Sequence, residues 1–270
     1  MATKLIKGLS QIYGKYDAFF VDLWGVVHNG INLYPEAVEV LEKLHKFNKR
    51  FVLISNAPRP SKSVGKYLLN LKMKKKFIKN IFTSGEAALQ SLKKNTYGKK
   101  FYHMGPQRDN DLIKGFEKNK TSLEKCDFIL CTGLFEKKES TLDYYKNLLK
   151  KYTKKKMICT NPDLIVDRGN TREFCAGSVA MVFEKMGGKV VYFGKPYPEV
   201  YNQSIDNKNK KILSIGDNLN TDIKGANLLN YDSLIISNGI HKDEIKEKGI
   251  TKVAKSYEAI CNYIQSELKW

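Results

Sequence analysis

The sequence predicts an α/β protein built on a doubly wound, mainly parallel sheet, and three observations carry that prediction. Short apolar runs, among them Ala18-Phe19-Phe20-Val21, Phe51-Val52-Leu53-Ile54 and Ile212-Leu213-Ser214-Ile215, alternate with amphipathic stretches of helical length, the order that strand-helix-strand crossovers require. Several runs end in a small or acidic residue followed by glycine or a polar turn, as strands do where they leave a sheet. Between residues 84 and 188 lies enough further alternating material for a compact α/β unit of its own. The expected architecture is therefore a Rossmann-like core, residues 1–83 with 189–270, interrupted by an inserted α/β domain, residues 84–188.

Taken in order, the first strand ends in Asp22 and breaks at Gly25. A loop then leads to Pro35-Glu36, which opens an amphipathic helix with Ala37, Val40, Leu41 and Leu44 on one side. The second run, residues 50–54, ends in Ser55-Asn56-Ala57-Pro58, and a helix is expected from Ser61. A third strand is expected over residues 77–82, ending in Thr83-Ser84-Gly85, with a helix from Glu86 to about Lys94. The inserted unit reads as Phe101-Tyr102-His103-Met104, a helix over 111–117, Phe128-Ile129-Leu130-Cys131, a helix over 141–152, Met157-Ile158-Cys159 and a helix over 178–186. Residues 189–193 form a strand closed by Gly194-Lys195-Pro196, and Pro198 starts a helix. The run 211–215 leads into Gly216-Asp217-Asn218-Leu219-Asn220-Thr221-Asp222, residues 232–237 form a last strand, and an amphipathic helix is expected over 257–268.

Composition narrows the function classes. With 42% hydrophobic and 28% charged residues the chain can bury a core, which excludes a disordered chain. No apolar run approaches the roughly 18 residues that span a bilayer, and the N-terminal stretch lacks the continuous apolar core of a secretory leader, so a cytoplasmic protein without membrane partners is expected. The five cysteines are scattered without a paired spacing, which argues against a disulfide framework or a zinc knuckle. A net charge of +19 raises the question of nucleic acid, yet the lysines are spread along the whole chain and no arginine cluster with interleaved aromatics is present. The reading is a solvated lysine surface with no specific nucleic-acid partner and a mild attraction for anionic small molecules. A homo-oligomer is compatible with the sequence and is not specified by it.

Four strand ends carry distinct chemistry: Asp22, Ser55, Lys195, and Asp217 with Asp222. In a parallel sheet they share one edge, where ligands of open α/β sheets bind. Two carboxylates suit a hard cation such as Mg²⁺, a lysine and a small hydroxyl suit a phosphoryl group, and an aspartate can act as a covalent nucleophile. The ordered set Asp22-x-x-Gly25-Val26, Ser55-Asn56, Gly194-Lys195-Pro196 and Gly216-Asp217-x-x-x-Thr221-Asp222 resembles the four motifs of the haloacid dehalogenase superfamily. The segment between the second and third motifs, with Asn161-Pro162-Asp163, resembles the type-2 cap of its class IIA branch, which includes nitrophenyl-phosphatase-like and nucleotide- or sugar-phosphate phosphatases.

That resemblance implies a Mg²⁺-dependent hydrolase of small phosphorylated metabolites. Asp22 would be nucleophile and metal ligand, the main-chain carbonyl of Trp24 and the carboxylate of Asp217 further ligands, and Asp222 a support for the metal. Ser55 and Lys195 would hold the phosphoryl oxygens, and Asn56 would contribute loop contacts. The chain departs from the family pattern at one place: where its phosphatases carry a second aspartate as general acid and base, Trp24 stands. An indole cannot exchange a proton at neutral pH, and losing a positioned acid typically costs about 10²–10⁴ in rate. The expectation is a slow or leaving-group-restricted phosphatase, with His28 the nearest alternative acid in sequence, although a loop-stabilising hydrogen bond is the commoner role for such a histidine. The alternative is an impaired relative that binds a phosphorylated ligand in a regulatory role.

Overall fold

A computed structural model describes residues 3–137, 141–168, 171–205 and 210–270. The strands are β1 (Lys4–Leu5), β2 (Ala18–Asp22), β3 (Arg50–Ser55), β4 (Ile81–Thr83), β5 (Phe101–Met104), β6 (Phe128–Cys131), β7 (Lys156–Cys159), β8 (Ile165–Arg168), β9 (Thr171–Phe174), β10 (Lys189–Tyr192), β11 (Ile212–Gly216), β12 (Asp232–Ile236) and β13 (Tyr263–Gln265). Among the described residues these make a seven-stranded sheet in the order β1-β13-β12-β11-β2-β3-β4, a four-stranded sheet in the order β10-β7-β6-β5, and the hairpin β8-β9. Both larger sheets are parallel throughout.

The apolar runs explain the layering. Every residue of β2 and β11 is buried, because helices cover both faces of a parallel sheet. One face carries Phe19, Val21, Leu53 and Leu213 against Ala37, Val40, Leu41 and Leu44 of α1 (Pro35–Lys46) and Val64 and Leu68 of α2 (Ser61–Asn70). The other carries Phe20, Val52, Ile54 and Ile212 against Val200 and Tyr201. A short α3 (Lys75–Ile78) precedes β4. The smaller sheet has its own core, in which Ile129, Cys131 and Met157 meet the later helices α5 (Leu142–Leu149) and α6 (Ala176–Lys185). The helix α4 (Ser84–Lys93) packs Ala87, Ala88 and Leu92 onto Phe101, Phe128 and Leu130, on the opposite face.

Four expectations need correction. The strand 189–193 was assigned to the core, but β10 pairs residue for residue with β7 in the smaller sheet, so the return to the large sheet follows it. The third strand is shorter than 77–82, because Lys75–Ile78 is helical and only Ile81–Thr83 pairs with β3. The 111–117 helix is replaced by 3₁₀ turns, Gln107–Ile113 and Glu117–Asn119. The terminal helix 257–268 is not formed: β13 inserts between β12 and β1, where Gln265 is buried. After α7 (Pro198–Ser204) and α8 (Lys224–Leu228), the helices nearest that end are α9 (Lys242–Lys248) and α10 (Ile250–Ser256). No helix of the described residues is long and apolar enough to cross a membrane, and all five cysteines are buried and unpaired.

Candidate active site

β2 lies between β3 and β11, and that ladder fixes Asp22 at the edge of the sheet. The chain then turns through Gly25, at φ 84°. A Cβ on Gly25 would stand 2.1 Å from Asp217 Oδ2, so the loop passes beneath the second carboxylate only because no side chain is there. β11 supplies Asp217 directly after Gly216, and the wide turn Leu219–Ile223, a π-helix, supplies Asp222. A Cβ on Gly216 would meet Asp222 Cγ at 2.0 Å. The carboxylates are held from behind: Asp217 Oδ2 accepts from the Ile240 amide at 3.0 Å, and Asp222 Oδ2 from the Asn218 amide at 3.2 Å.

Lys195 arrives from the link between β10 and α7, ahead of a cis Lys195-Pro196 bond. Its ammonium donates to Asp22 Oδ1 at 2.5 Å and to Asp222 Oδ1 at 2.7 Å. Asn56 clamps the lysine backbone: its Oδ1 accepts from Lys195 N at 2.7 Å, while its Nδ2 donates to Lys195 O at 3.1 Å and to Asp163 Oδ1 at 2.9 Å. The resemblance implies loop contacts for Asn56 and no role for Asp163. The structure makes Asn56 the piece that sets the lysine and ties it to the inserted segment. Ser55 is buried with its Oγ accepting from the Ala57 amide at 3.2 Å.

Asp22, Trp24, Ser55, Asn56, Lys195, Asp217 and Asp222 all line one cavity of about 360 Å³. The inserted segment adds Asp109, Thr132, Asp163, Val166, Asp167 and Arg172, and the loops of the large sheet add Tyr34, Arg59 and Asp243. His28 does not line it: the imidazole is buried, and its Nδ1 accepts from the Gly30 amide at 2.9 Å.

Charge in the cavity is unbalanced. Asp22, Asp217 and Asp222 offer oxygens that all lie within 4.8 Å of one another, and among the described residues only the Lys195 ammonium contacts them. Burial pushes the Asp217 carboxyl up to about 7, reinforced by Asp222. Burial likewise holds Asp22 well above the usual carboxylate range; Lys195 opposes the rise, and Asp222 and Asp217 add to it. For Lys195 burial works against the charge, but Asp22, Asp222 and Asp163 together keep it protonated. Asp163 itself is raised by burial to about 6. Three buried carboxylates with one ammonium form a donor set of hard oxygens with negative charge to spare, which fits a small dication.

Comparison with known proteins places the chain in a family. A family model for haloacid dehalogenase-like hydrolases matches residues 19–117, and a second model, HAD-hydrolase-like, matches residues 192–261. The first match runs into the inserted segment, the second begins at its end, and together they contain Asp22, Lys195, Asp217 and Asp222. The chain belongs to the haloacid dehalogenase-like hydrolases. A haloacid dehalogenase-like hydrolase from Brucella suis 1330 is similar in structure, with a TM-score of 0.85 and 27% identity over 98% of this chain and 100% of that one. A p-nitrophenyl phosphatase from Archaeoglobus fulgidus shares the fold, with a TM-score of 0.73 and 16% identity over 93% of this chain and 96% of that one. In sequence, the 5'-nucleotidase YutF of Bacillus subtilis (strain 168) is 22% identical over 259 residues, 92% of this chain and 98% of the relative.

On the loop after Asp22, the indole of Trp24 donates its N–H to the main-chain carbonyl of Asp167 at 2.7 Å. That bond was not legible in the sequence. Asp167 lies 143 residues away on the hairpin.

Proposed function

We propose that this hydrolase is a Mg²⁺-dependent phosphatase of small phosphorylated metabolites, working through an aspartyl-phosphate on Asp22 and restricted to substrates with good leaving groups. The observation that carries the restriction is the Trp24 bond: the side chain at the acid position has one polar hydrogen, and it is already engaged by Asp167 O. A leaving oxygen at that place would find no proton donor in Trp24.

In the proposed reaction a carboxylate oxygen of Asp22 attacks phosphorus. The bond from phosphorus to the leaving oxygen breaks, and its electron pair departs with that oxygen. Water then attacks the phosphorus of the acyl phosphate, which releases inorganic phosphate and restores the Asp22 carboxylate. Lys195, now contacting Asp22 and Asp222, and Ser55 would hold the phosphoryl oxygens, with Asn56 fixing the lysine. Asp22, the main-chain carbonyl of Trp24 and Asp217 would hold Mg²⁺, with Asp222 in support. The ion, when bound, supplies positive charge against the negative phosphoryl oxygens. The segment from about 84 to 192, which carries the smaller sheet, would serve as the type-2 cap that selects the leaving group. The relatives' names, a 5'-nucleotidase and a p-nitrophenyl phosphatase, support phosphomonoesters as the substrate class.

The test is a Mg²⁺-dependent screen over aryl, acyl and alkyl phosphates. Aryl and acyl phosphates, whose leaving groups need little protonation, should be cleaved at least about 10²-fold faster than alkyl phosphates, and Asp22→Asn should abolish the activity. Equal cleavage of aryl and alkyl esters would show that another residue supplies the acid. Saturable binding of phosphate esters without Asp22-dependent turnover would favour the regulatory reading instead.

A further inference from the structure

Trp24 is seated with unusual completeness by the large-sheet side of the molecule. Its ring meets the edge of His28 at a centroid distance of 5.0 Å, and His28 meets Tyr67 at 5.9 Å. The Tyr67 hydroxyl donates to Gly30 O at 2.6 Å. Gly30, at φ 84°, closes the seat: a Cβ there would stand 2.6 Å from the indole Cη2. All of this fixes the plane of the ring, and its one polar atom reaches across to the hairpin.

The hairpin's other ties run to the inserted segment: Glu173 pairs with Arg108 at 3.9 Å, and Leu164 O accepts from the Ser178 hydroxyl at 2.6 Å. Among the described residues β8 and β9 pair only with each other, and a two-stranded hairpin in water is marginal on its own. Leu164 and Phe174, at its open end, are exposed. The Arg172 guanidinium closes on the Asp167 carboxylate with two bonds, 2.8 and 2.9 Å, within the hairpin. Arg172 also lies in the field of Asp243 and Glu244, at the start of α9, which belongs with the large sheet. Ile165, Val166 and Asp167 line the cavity together with Asp22.

We propose that Trp24 is a positioning and specificity-determining residue, whose indole N–H latches the hairpin β8-β9 over the cavity and so sets which leaving groups fit beside Asp22. The position two residues after the nucleophile has exchanged proton transfer for closure. A leaving group must either fit between the indole and the Val166-Asp167 backbone or displace the hairpin. The latch itself stands on the contacts above; its effect on leaving-group choice rests on the phosphatase reading.

Hydrogen exchange on the full-length protein without ligand tests the latch directly. Trp24→Phe keeps an aromatic ring and removes the donor. Amides of residues 165–167 and 171–174 should exchange about tenfold faster, as expected from losing one net hydrogen bond, while those of β2 and β11 stay unchanged. Wild-type exchange rates in the hairpin would overturn the proposal. If Trp24→Phe fails to melt cooperatively, Gly30→Ala, whose methyl group pushes the same indole from its seat, should release the hairpin in the same way, and an unreleased hairpin there counts equally against it.

A kinetic arm tests specificity with two good leaving groups of different size. Trp24→Phe should lower KM for p-nitrophenyl phosphate about tenfold relative to KM for acetyl phosphate, because the larger leaving group gains most from a released hairpin. Equal losses on both substrates would mean general damage and defeat the specificity role. If the wild type cleaves neither compound, the phosphatase reading fails, while the exchange result still decides the latch.

Discussion

The ammonium of Lys195 sits 2.5 Å from a carboxylate oxygen of Asp22, and both side chains are almost wholly buried, at 3% and 7% exposure. Solvent screens such a pair very little, so removing one partner strands the other. Lys195→Met should lower unfolding free energy by about 3–5 kcal/mol at pH 8. The loss should be smaller at pH 5, because Asp22, already held well above the usual carboxylate range by burial, then takes up a proton instead of standing unpaired. Urea unfolding at the two pH values measures this. A variant as stable as wild type at pH 8 would show that the pair is not ionised.

The three carboxylates predict a stabilising response to metal. Mg²⁺ at a hundredfold excess over its Kd should add about 2.7 kcal/mol to stability, and Asp217→Asn should remove most of the gain. Gly25→Ala is the subtler test, since its methyl would fall 2.1 Å from Asp217 Oδ2 at φ 84°. It should weaken the Mg²⁺ response without changing any ligand atom. Thermal melts with and without Mg²⁺ check both. Identical shifts in wild type and Asp217→Asn would place the ion elsewhere.

Much of this site could be read before the fold was known, for a definite physical reason. Asp22, Ser55 and Asp217 each follow a buried run in the large sheet, and parallel connectivity brings such ends to one edge. Lys195 reaches the cavity by another route than the one expected: the strand before it, β10, belongs to the smaller sheet, and an apolar run carries no record of which sheet it will join. The failure at 257–268 has a similar cause. Ile260, Ile264 and Leu268 recur at helical spacing, but pairing of β13 with β12 and β1 overrides that period. The hairpin was missed although the sequence held a signal, Gly169-Asn170 between residues of strand-forming type. Without it, the Trp24 bond could not be anticipated.

Away from the charged cluster, His103 predicts an acid-sensitive component of stability. It is buried on β5 with its Nε2 paired to Thr132 Oγ1 at 3.0 Å, and burial drives its pKa down from 6.5 to about 4. A base with its folded pKa depressed stabilises the fold fully above its unfolded pKa, and loses that contribution as pH falls through the folded one. The window is therefore pH 6.5 to 4, and the loss about 3 kcal/mol. Asp109, raised by burial to about 6, acts in the opposite sense: its contribution is present at low pH and lost as pH rises through 6. Wild type alone would blur the two. The difference between wild type and His103→Gln isolates the histidine, and it should shrink steadily from pH 6.5 to 4; a difference independent of pH would mean the imidazole is not the titrating group.

Trp24→Asp tests the proposal that the lack of an acid at this position restricts the site to good leaving groups. The substitution places a carboxyl two residues after Asp22 and releases the bond to Asp167, so it gives the site a proton donor while loosening the wall beside the leaving group. A well-placed acid contributes about 10²–10⁴ in rate, but a carboxyl is much shorter than an indole and the hairpin is no longer pinned, so only the lower part of that range should be recovered. Alkyl phosphate hydrolysis should rise about 10–10²-fold, with aryl phosphate hydrolysis unchanged or reduced. Trp24→Asn supplies the control, since it opens the same space and releases the same bond but carries no transferable proton. If Trp24→Asn raises alkyl turnover as much as Trp24→Asp, the gain comes from room and not from acid catalysis, and the restriction assigned to Trp24 is steric.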